Sequence, residues 1–184
     1  MELRGKVALI TGGGTGLGRV ISLAFAQEGT NLAIVYSRRE TEANKTADEL
    51  RAKGVKAIAV RGDVSQPADV KALVDRVMEE YGRIDVLVNN AGTTVFAPNF
   101  SDLEAISDPE WDRVMAVNVK GPWMLAKTVG PIMKRQGQGR IIQTTSTAGV
   151  RAGGSSLAYT VSKAAEVQLT RGLAIALGPE VTVN

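Results

Sequence analysis

Histidine and cysteine are both missing from this 184-residue chain. Their absence excludes zinc-thiolate centres, Ser-His-Asp triads and Cys-His nucleophiles, each of which needs an imidazole or a thiolate, and no metal site is expected. Aromatic residues are scarce: three Phe, three Tyr and two Trp. The 22 Lys and Arg are scattered among 19 Asp and Glu, with no basic run of five. Nucleic-acid binding needs basic clusters and stacking rings, so that role is disfavoured despite a net charge of +3. No apolar run approaches the ~18 residues that span a bilayer. Residues 1–6 also lack the apolar core of a signal peptide. We therefore expect no membrane partner and a cytoplasmic location.

What remains has the composition of an ordinary globular domain, 44% hydrophobic and 22% charged. Its length suits one domain, spanning residues 1–184, with a substantial core. Apolar strands alternate with helical periods. Lys6-Val7-Ala8-Leu9-Ile10 reads as a strand buried on both faces, followed by a helix over 17–28 closed by Gly29. Further strands are predicted over 31–36, 55–60, 86–88, 139–144 and 181–183, and further helices over 41–53, 67–81 and 157–177. Ser107-Asp108-Pro109-Glu110 is a capping box that opens a long helix. Kinks are expected in it at Gly121-Pro122 and Gly130-Pro131. The segment 93–103 has no period and reads as loop. The alternation predicts an α/β fold: a doubly wound parallel sheet of Rossmann type, in three α/β/α layers.

Between the first strand and first helix lies Thr11-Gly12-Gly13-Gly14-Thr15-Gly16-Leu17-Gly18. The glycines fit Thr-Gly-x-x-x-Gly-x-Gly rather than the G-x-G-x-x-G frame. Without side chains the backbone can approach a pyrophosphate, and the helix dipole favours its charge. The alternative is a tight turn with nothing bound, for which so many glycines carry a needless entropic cost. A dinucleotide site also meets the adenosine ribose near the end of the second strand. An NAD site carries an acid there, but this strand ends Val35-Tyr36-Ser37-Arg38-Arg39, with no acid before Glu40. A guanidinium pairs with a 2′-phosphate, whereas a carboxylate repels it. The cofactor expected is NADP(H) rather than NAD, with Ser37 and Arg38 at the ribose. Arg39 is equally well read as the start of a solvated helix.

Tyr159 and Lys163 stand at i and i+4, on one face of a helix. A free phenol ionises near pH 10, and bringing it to about neutral means stabilising the anion by ~4 kcal/mol; an adjacent ammonium acts in that direction. With imidazole and thiol absent, Tyr159 is one of few side chains left for acid–base work. The same spacing also occurs by chance in many helices.

In this order the motifs resemble the short-chain dehydrogenase/reductase family, and its bacterial 3-oxoacyl-(acyl-carrier-protein) reductases most of all. The likeness runs the length of the chain. Gly12, Thr15, Gly16, Leu17 and Gly18 fit the family's cofactor loop, and Asp63 and Val64 its adenine contacts. Asn90, Ala91 and Gly92, after Asn89, fit the NNAG segment at the nicotinamide-side ribose. Asn118, Ser146, Tyr159 and Lys163 fit the catalytic tetrad, with the serine thirteen residues before the tyrosine. The resemblance implies that Tyr159 is the acid in reduction and the base in oxidation. It implies that Lys163 makes Tyr159 more acidic and binds the nicotinamide ribose. Ser146 would hold the carbonyl oxygen, and Asn118 a water that links Lys163 to solvent.

The expected partner is a small carbonyl or alcohol substrate, an acyl thioester among the candidates. NADP-dependent sugar, polyol or steroid-like alcohol dehydrogenation is the alternative, and a nucleotide-binding or assembly module without turnover a third reading. Helices near 111–135 and 157–177 pack against a second subunit in relatives, which implies a homodimer or homotetramer; core burial explains many of the same residues. In relatives the last strand continues into a Pro-Gly loop, a substrate-covering helix pair and a seventh strand. We therefore expect the 184 residues to be part of a longer protein, with the family domain C-terminally incomplete.

Overall fold

A computed structural model describes residues 2–184. Six strands appear among the described residues: β1 (Val7–Thr11), β2 (Asn31–Tyr36), β3 (Ala57–Arg61), β4 (Val86–Asn89), β5 (Gly139–Gln143) and β6 (Val181–Val183). They form one parallel sheet in the order β3-β2-β1-β4-β5-β6. The helices are α1 (Gly16–Gln27), α2 (Glu40–Arg51), α3 (Pro67–Tyr81), α4 (Asp108–Met115), α5 (Gly121–Arg135) and α6 (Leu157–Leu177). The expected doubly wound sheet is therefore present.

All of β1 is buried, as a central strand covered on both sides must be. Leu9, Leu87 and Ile141 point into the larger core with Val74, Leu125 and Met133 of α3 and α5. Ile10, Leu32 and Val88 point the other way, where Ala26 of α1 and Ala47 and Leu50 of α2 meet them. Each such leucine or isoleucine contributes roughly 2 kcal/mol by leaving water. That second layer thins toward β5, where Ile142 is partly exposed. β6 forms a sheet edge.

The long helix differs from expectation in how it bends. The capping box is formed, with Ser107 and Glu110 exchanging hydrogen bonds at the start of α4. The chain then widens into a π turn at Ala116–Lys120, closed by the Gly121 N–H on the Ala116 carbonyl, before continuing as α5. Pro122 brings no N–H, so the donor that a regular helix sends to Asn118's carbonyl is lacking. The disturbance therefore falls one turn before the Gly121-Pro122 pair. At Gly130-Pro131 helix α5 runs on to Arg135. Gly130 instead allows close approach, since a Cβ there would stand 2.8 Å from Leu177 of α6. β3 begins two residues later than predicted, at Ala57, the first residue in register with β2.

At the strand ends remote from the glycine turn, the fully buried Asp85 ties β1 to β4. Its carboxylate accepts from the Val7 N–H at 2.9 Å and from Arg83 at 2.8 and 2.6 Å. Burial pushes its carboxyl up, but the Arg83 and Val7 hydrogen bonds outweigh that and hold it below the usual range. Depressed in the folded state, the group contributes stability that is present above its unfolded value near pH 4. That stability is lost as pH falls through the lower folded value. Denaturant titrations should show the wild type losing stability below about pH 4. Asp85→Asn should be about 2 kcal/mol less stable at neutral pH, with a flatter acid dependence.

Candidate active site

Neighbouring strands diverge where the sheet order reverses, between β1 and β4, and their C-terminal ends leave a crevice. A cleft of ≈ 530 Å³ occupies it. Gly12, Gly14, Thr15, Leu17 and Gly18 form one wall, and Ser37, Arg38 and Arg39 follow from the end of β2. Asp63 and Val64 after β3, and Asn90, Ala91 and Gly92 after β4, complete it with Arg113 and Val117. Gly14, Arg113 and Val117 are lining residues that the sequence reading did not single out. Gly16 does not line the cleft; it opens α1 at φ +53°, with open space where a Cβ would be. Gly18 is required for another reason, since a Cβ there would lie 2.1 Å from the Gly12 carbonyl oxygen. Its missing side chain lets α1 seat against the turn.

The cleft fits the pyrophosphate of a nicotinamide dinucleotide. Helix α1 begins at its edge with no side-chain cap on its first N–H groups and no acid in its first turn. Free donors and an unopposed dipole are what an anion needs. Asp63 is half engaged: its Oδ1 accepts from the Ser65 N–H at 2.9 Å and the Ser65 hydroxyl at 2.7 Å.

One hydroxyl keeps the two sides of the crevice in register. Thr11, at the end of β1, donates to the Val88 carbonyl at 3.3 Å and accepts from the N–H groups of Asn90 and Ala91, each at 3.0 Å. Asn90 returns the contact, its side-chain amide donating to the Thr11 carbonyl at 3.0 Å.

Beyond Gly92 the chain enters a second polar cluster. Asn118, fully buried in the π turn, accepts from the Thr93 N–H at 2.8 Å and donates to the Thr93 carbonyl at 2.9 Å. It also donates to the Ser162 hydroxyl at 3.0 Å, which in turn donates to the Tyr159 carbonyl at 2.7 Å. The amide of Asn118 is thus spent on contacts within the protein.

Tyr159 lies in the first turn of α6, whose N-terminus is capped by Ser156. One turn on, the buried Lys163 places its ammonium 5.8 Å from the centre of the Tyr159 ring. That ammonium donates to the Thr144 carbonyl at 2.7 Å and to Glu166 at 2.6 Å. Ser146 caps the short 3-10 turn Thr147–Gly149, its Oγ accepting from the Ala148 N–H at 3.2 Å. Since Oγ acts there as acceptor, its proton stays available to a ligand. Gly149 brings this turn onto α6; a Cβ there would stand 2.6 Å from the Lys163 carbonyl oxygen.

Asn118, Ser146, Tyr159 and Lys163 are therefore gathered at one corner, joined to the cleft through Thr93. Two members of the cluster escaped the sequence reading. Ser162 looks like helix surface until the π turn brings Asn118 to it. Glu166 had a usable signal: Tyr159, Lys163 and Glu166 stand at i, i+4 and i+7, on one face of the helix.

Residues 6–184 match the family described as short chain dehydrogenase. The chain is 37% identical over 180 residues to the 3-oxoacyl-(acyl-carrier-protein) reductase FabG of Staphylococcus epidermidis, covering 97% of this chain and 72% of that protein. Among solved structures, NAD+-bound xylitol dehydrogenase is similar with a TM-score of 0.92 and 36% identity, over 100% of this chain and 70% of that one. A short chain dehydrogenase/reductase from Burkholderia phymatum in complex with NAD gives a TM-score of 0.90 at 39% identity, over 99% and 64% of the two chains. The protein belongs to the short-chain dehydrogenase/reductase family of oxidoreductases.

Thr11→Val keeps the shape of the clasp and removes its hydroxyl, leaving two backbone N–H groups without their acceptor. It should cost about 2 kcal/mol in chemical denaturation. Calorimetric titration should show nucleotide affinity weakened about tenfold, because the crevice loses its register.

Proposed function

We propose that this chain is the catalytic core of an NADP(H)-dependent reductase of the 3-oxoacyl-(acyl-carrier-protein) reductase type, acting between a carbonyl and a secondary alcohol. The observation that carries this reading is the Tyr159–Lys163 pair on α6, tied through Ser162, Asn118 and Thr93 to a cleft suited to a dinucleotide. The glycine turn and the start of α1 would hold the pyrophosphate, and Asp63 and Val64 the adenine. Asn90, Ala91 and Gly92 would meet the nicotinamide-side ribose. The nicotinamide, when bound, supplies the hydride in reduction and takes it up in oxidation.

In the reductive direction, negative charge develops on the carbonyl oxygen as its carbon is reduced. Ser146 donates a hydrogen bond to that oxygen, which strengthens as the charge grows. Tyr159 gives its phenolic proton to the same oxygen, and the ammonium of Lys163 favours the phenolate left behind. The phenol forms no hydrogen bond with another described residue, so it is free for this contact. Asn118 holds the π turn in place, where its carbonyl can support a water near Lys163.

Arg38 and Arg39 at the mouth of the cleft support NADP(H) over NAD, since the end of β2 offers no carboxylate to a ribose 2′-hydroxyl. The similarity to NAD+-bound xylitol dehydrogenase supports a second reading, a polyol dehydrogenase using the same groups in oxidation. Trp123 on α5 and Val161 and Ile175 on α6 are exposed, which supports pairing of two copies as a homodimer or a homotetramer.

NADPH oxidation with a β-keto ester tests the chemistry. Tyr159→Phe should retain NADPH binding and lose at least about a hundredfold in turnover; near-normal turnover overturns the assignment. For the cofactor, direct titration should show NADPH binding about tenfold or more tighter than NADH. Arg38→Glu should reverse that order. Equal affinities for the two cofactors remove the NADP inference.

A further inference from the structure

Lys163 has three N–H donors and two are already committed, one to the Thr144 carbonyl and one to Glu166. Glu166 is 1% exposed and Lys163 5%. This is a closed ion pair in the interior rather than a surface salt bridge. A catalytic lysine in this position has two tasks, to favour the phenolate and to engage a ribose hydroxyl. Here a single donor is left for both, and the charge that acts on the phenol is opposed by a carboxylate one helical turn away.

Few other charges surround the pair. Among the elements packed on α6, the 3-10 turn Thr147–Gly149 and β6 carry none. Helix α4 carries Asp108, Glu110, Asp112 and Arg113; the π turn carries Lys120; and α5 carries Lys127, Lys134 and Arg135. None of these forms a hydrogen bond or ion pair with Lys163 or Glu166. Glu110 is engaged by Ser107, and Lys134 by the Ala176 carbonyl at the far end of α6. Glu166 is accordingly the one paired counter-charge of Lys163 among the described residues. Burial pushes its carboxyl up and outweighs the pull of Lys163, leaving it above the usual carboxylate range, as desolvation of a buried pair should do.

We propose that Glu166 is a positioning residue for the Tyr159–Lys163 pair, holding the ammonium toward Thr144 and offsetting its charge, and so setting the pH range in which Tyr159 exchanges its proton. The inference rests on the reading of Tyr159 as the acid–base group. The sign follows from Coulomb's law: a nearby carboxylate opposes formation of the phenolate, so removing its charge moves that ionisation to lower pH.

The test is Glu166→Gln, followed in two ways. Tyrosinate absorbance is titrated without substrate, and Tyr159 is isolated by difference from Tyr159→Phe. Tyr81 is pushed up to about 12 by burial and Tyr36 is also raised, so neither obscures it. The pH–rate profile is measured in parallel. In Glu166→Gln both the tyrosinate midpoint and the limb of the profile should fall by about one pH unit. Glu166→Asp, which keeps the charge, should restore the wild-type range. Glu166→Val makes the same change of charge and replaces Gln should that variant fail to fold. An unmoved midpoint, or one that rises because Lys163 has lost its proton, overturns the proposal. A midpoint that falls while the rate profile stays fixed supports the role of Glu166 and refutes instead the assignment of Tyr159 as acid–base.

Discussion

The crevice between β1 and β4 exists because the sheet order reverses there, and the Thr11 hydroxyl keeps it from being a slack gap. Two strands that hydrogen-bond along their length must still separate at their ends if a ligand is to enter. The Thr11 oxygen spans that separation, accepting two N–H groups from the segment after β4 and donating back to Val88. Everything nearer solvent is placed from this point. The glycine turn departs from Thr11 on one side, while Asn90, Ala91 and Gly92 depart from its partners on the other. Thr93, the next residue, reaches the π turn through Asn118. A chain of hydrogen bonds thus runs from the central strand to the start of α6, with no long flexible element in between.

The α/β layers and most of the cleft were legible in the sequence because their determinants are local. A strand buried on both faces must be continuously apolar, as Val7 to Ile10 are, and a turn that admits a phosphate must lack side chains. The likeness of Asn118, Ser146, Tyr159 and Lys163 to the family's tetrad is carried by their spacing. What escaped depends on contacts between segments distant in the chain. The local sequence around Asn118 does not reveal that its amide bonds to Thr93 and Ser162, 25 and 44 residues away. The π turn is signalled in sequence only by Gly121-Pro122, and it falls before that pair because the proline's missing donor is felt four residues back. Gly18 looked like a phosphate contact, and the structure adds a stricter demand: helix α1 cannot seat against Gly12 if any side chain is present.

Two buried ion pairs illustrate opposite uses of buried charge. Asp85 lies at the strand ends away from the cleft, with its carboxylate bonded by Arg83 and Val7, and it holds a strand junction. Lys163 and Glu166 are also buried and paired, but the ammonium keeps one donor free. A fully satisfied pair gains rigidity and loses any response to a ligand. An incompletely satisfied one remains able to interact, at the cost of desolvating both partners.

The placement of α6 shows why packing and chemistry cannot be separated here. Gly149 lets the 3-10 turn lie against the backbone of Lys163, and that turn begins at Ser146. The distance between the serine hydroxyl and the tyrosine helix is thus governed by a missing methyl group together with the bond from the Lys163 ammonium to the Thr144 carbonyl. Any side chain at position 149 would meet the Lys163 carbonyl oxygen at 2.6 Å, so either the turn or the helix must retreat. Reacting groups need alignment within a fraction of an ångström, and a shift of that kind would separate Ser146 from Tyr159 without altering either residue. Close packing around a few glycines, as much as the identity of the four polar residues, is what holds this corner together.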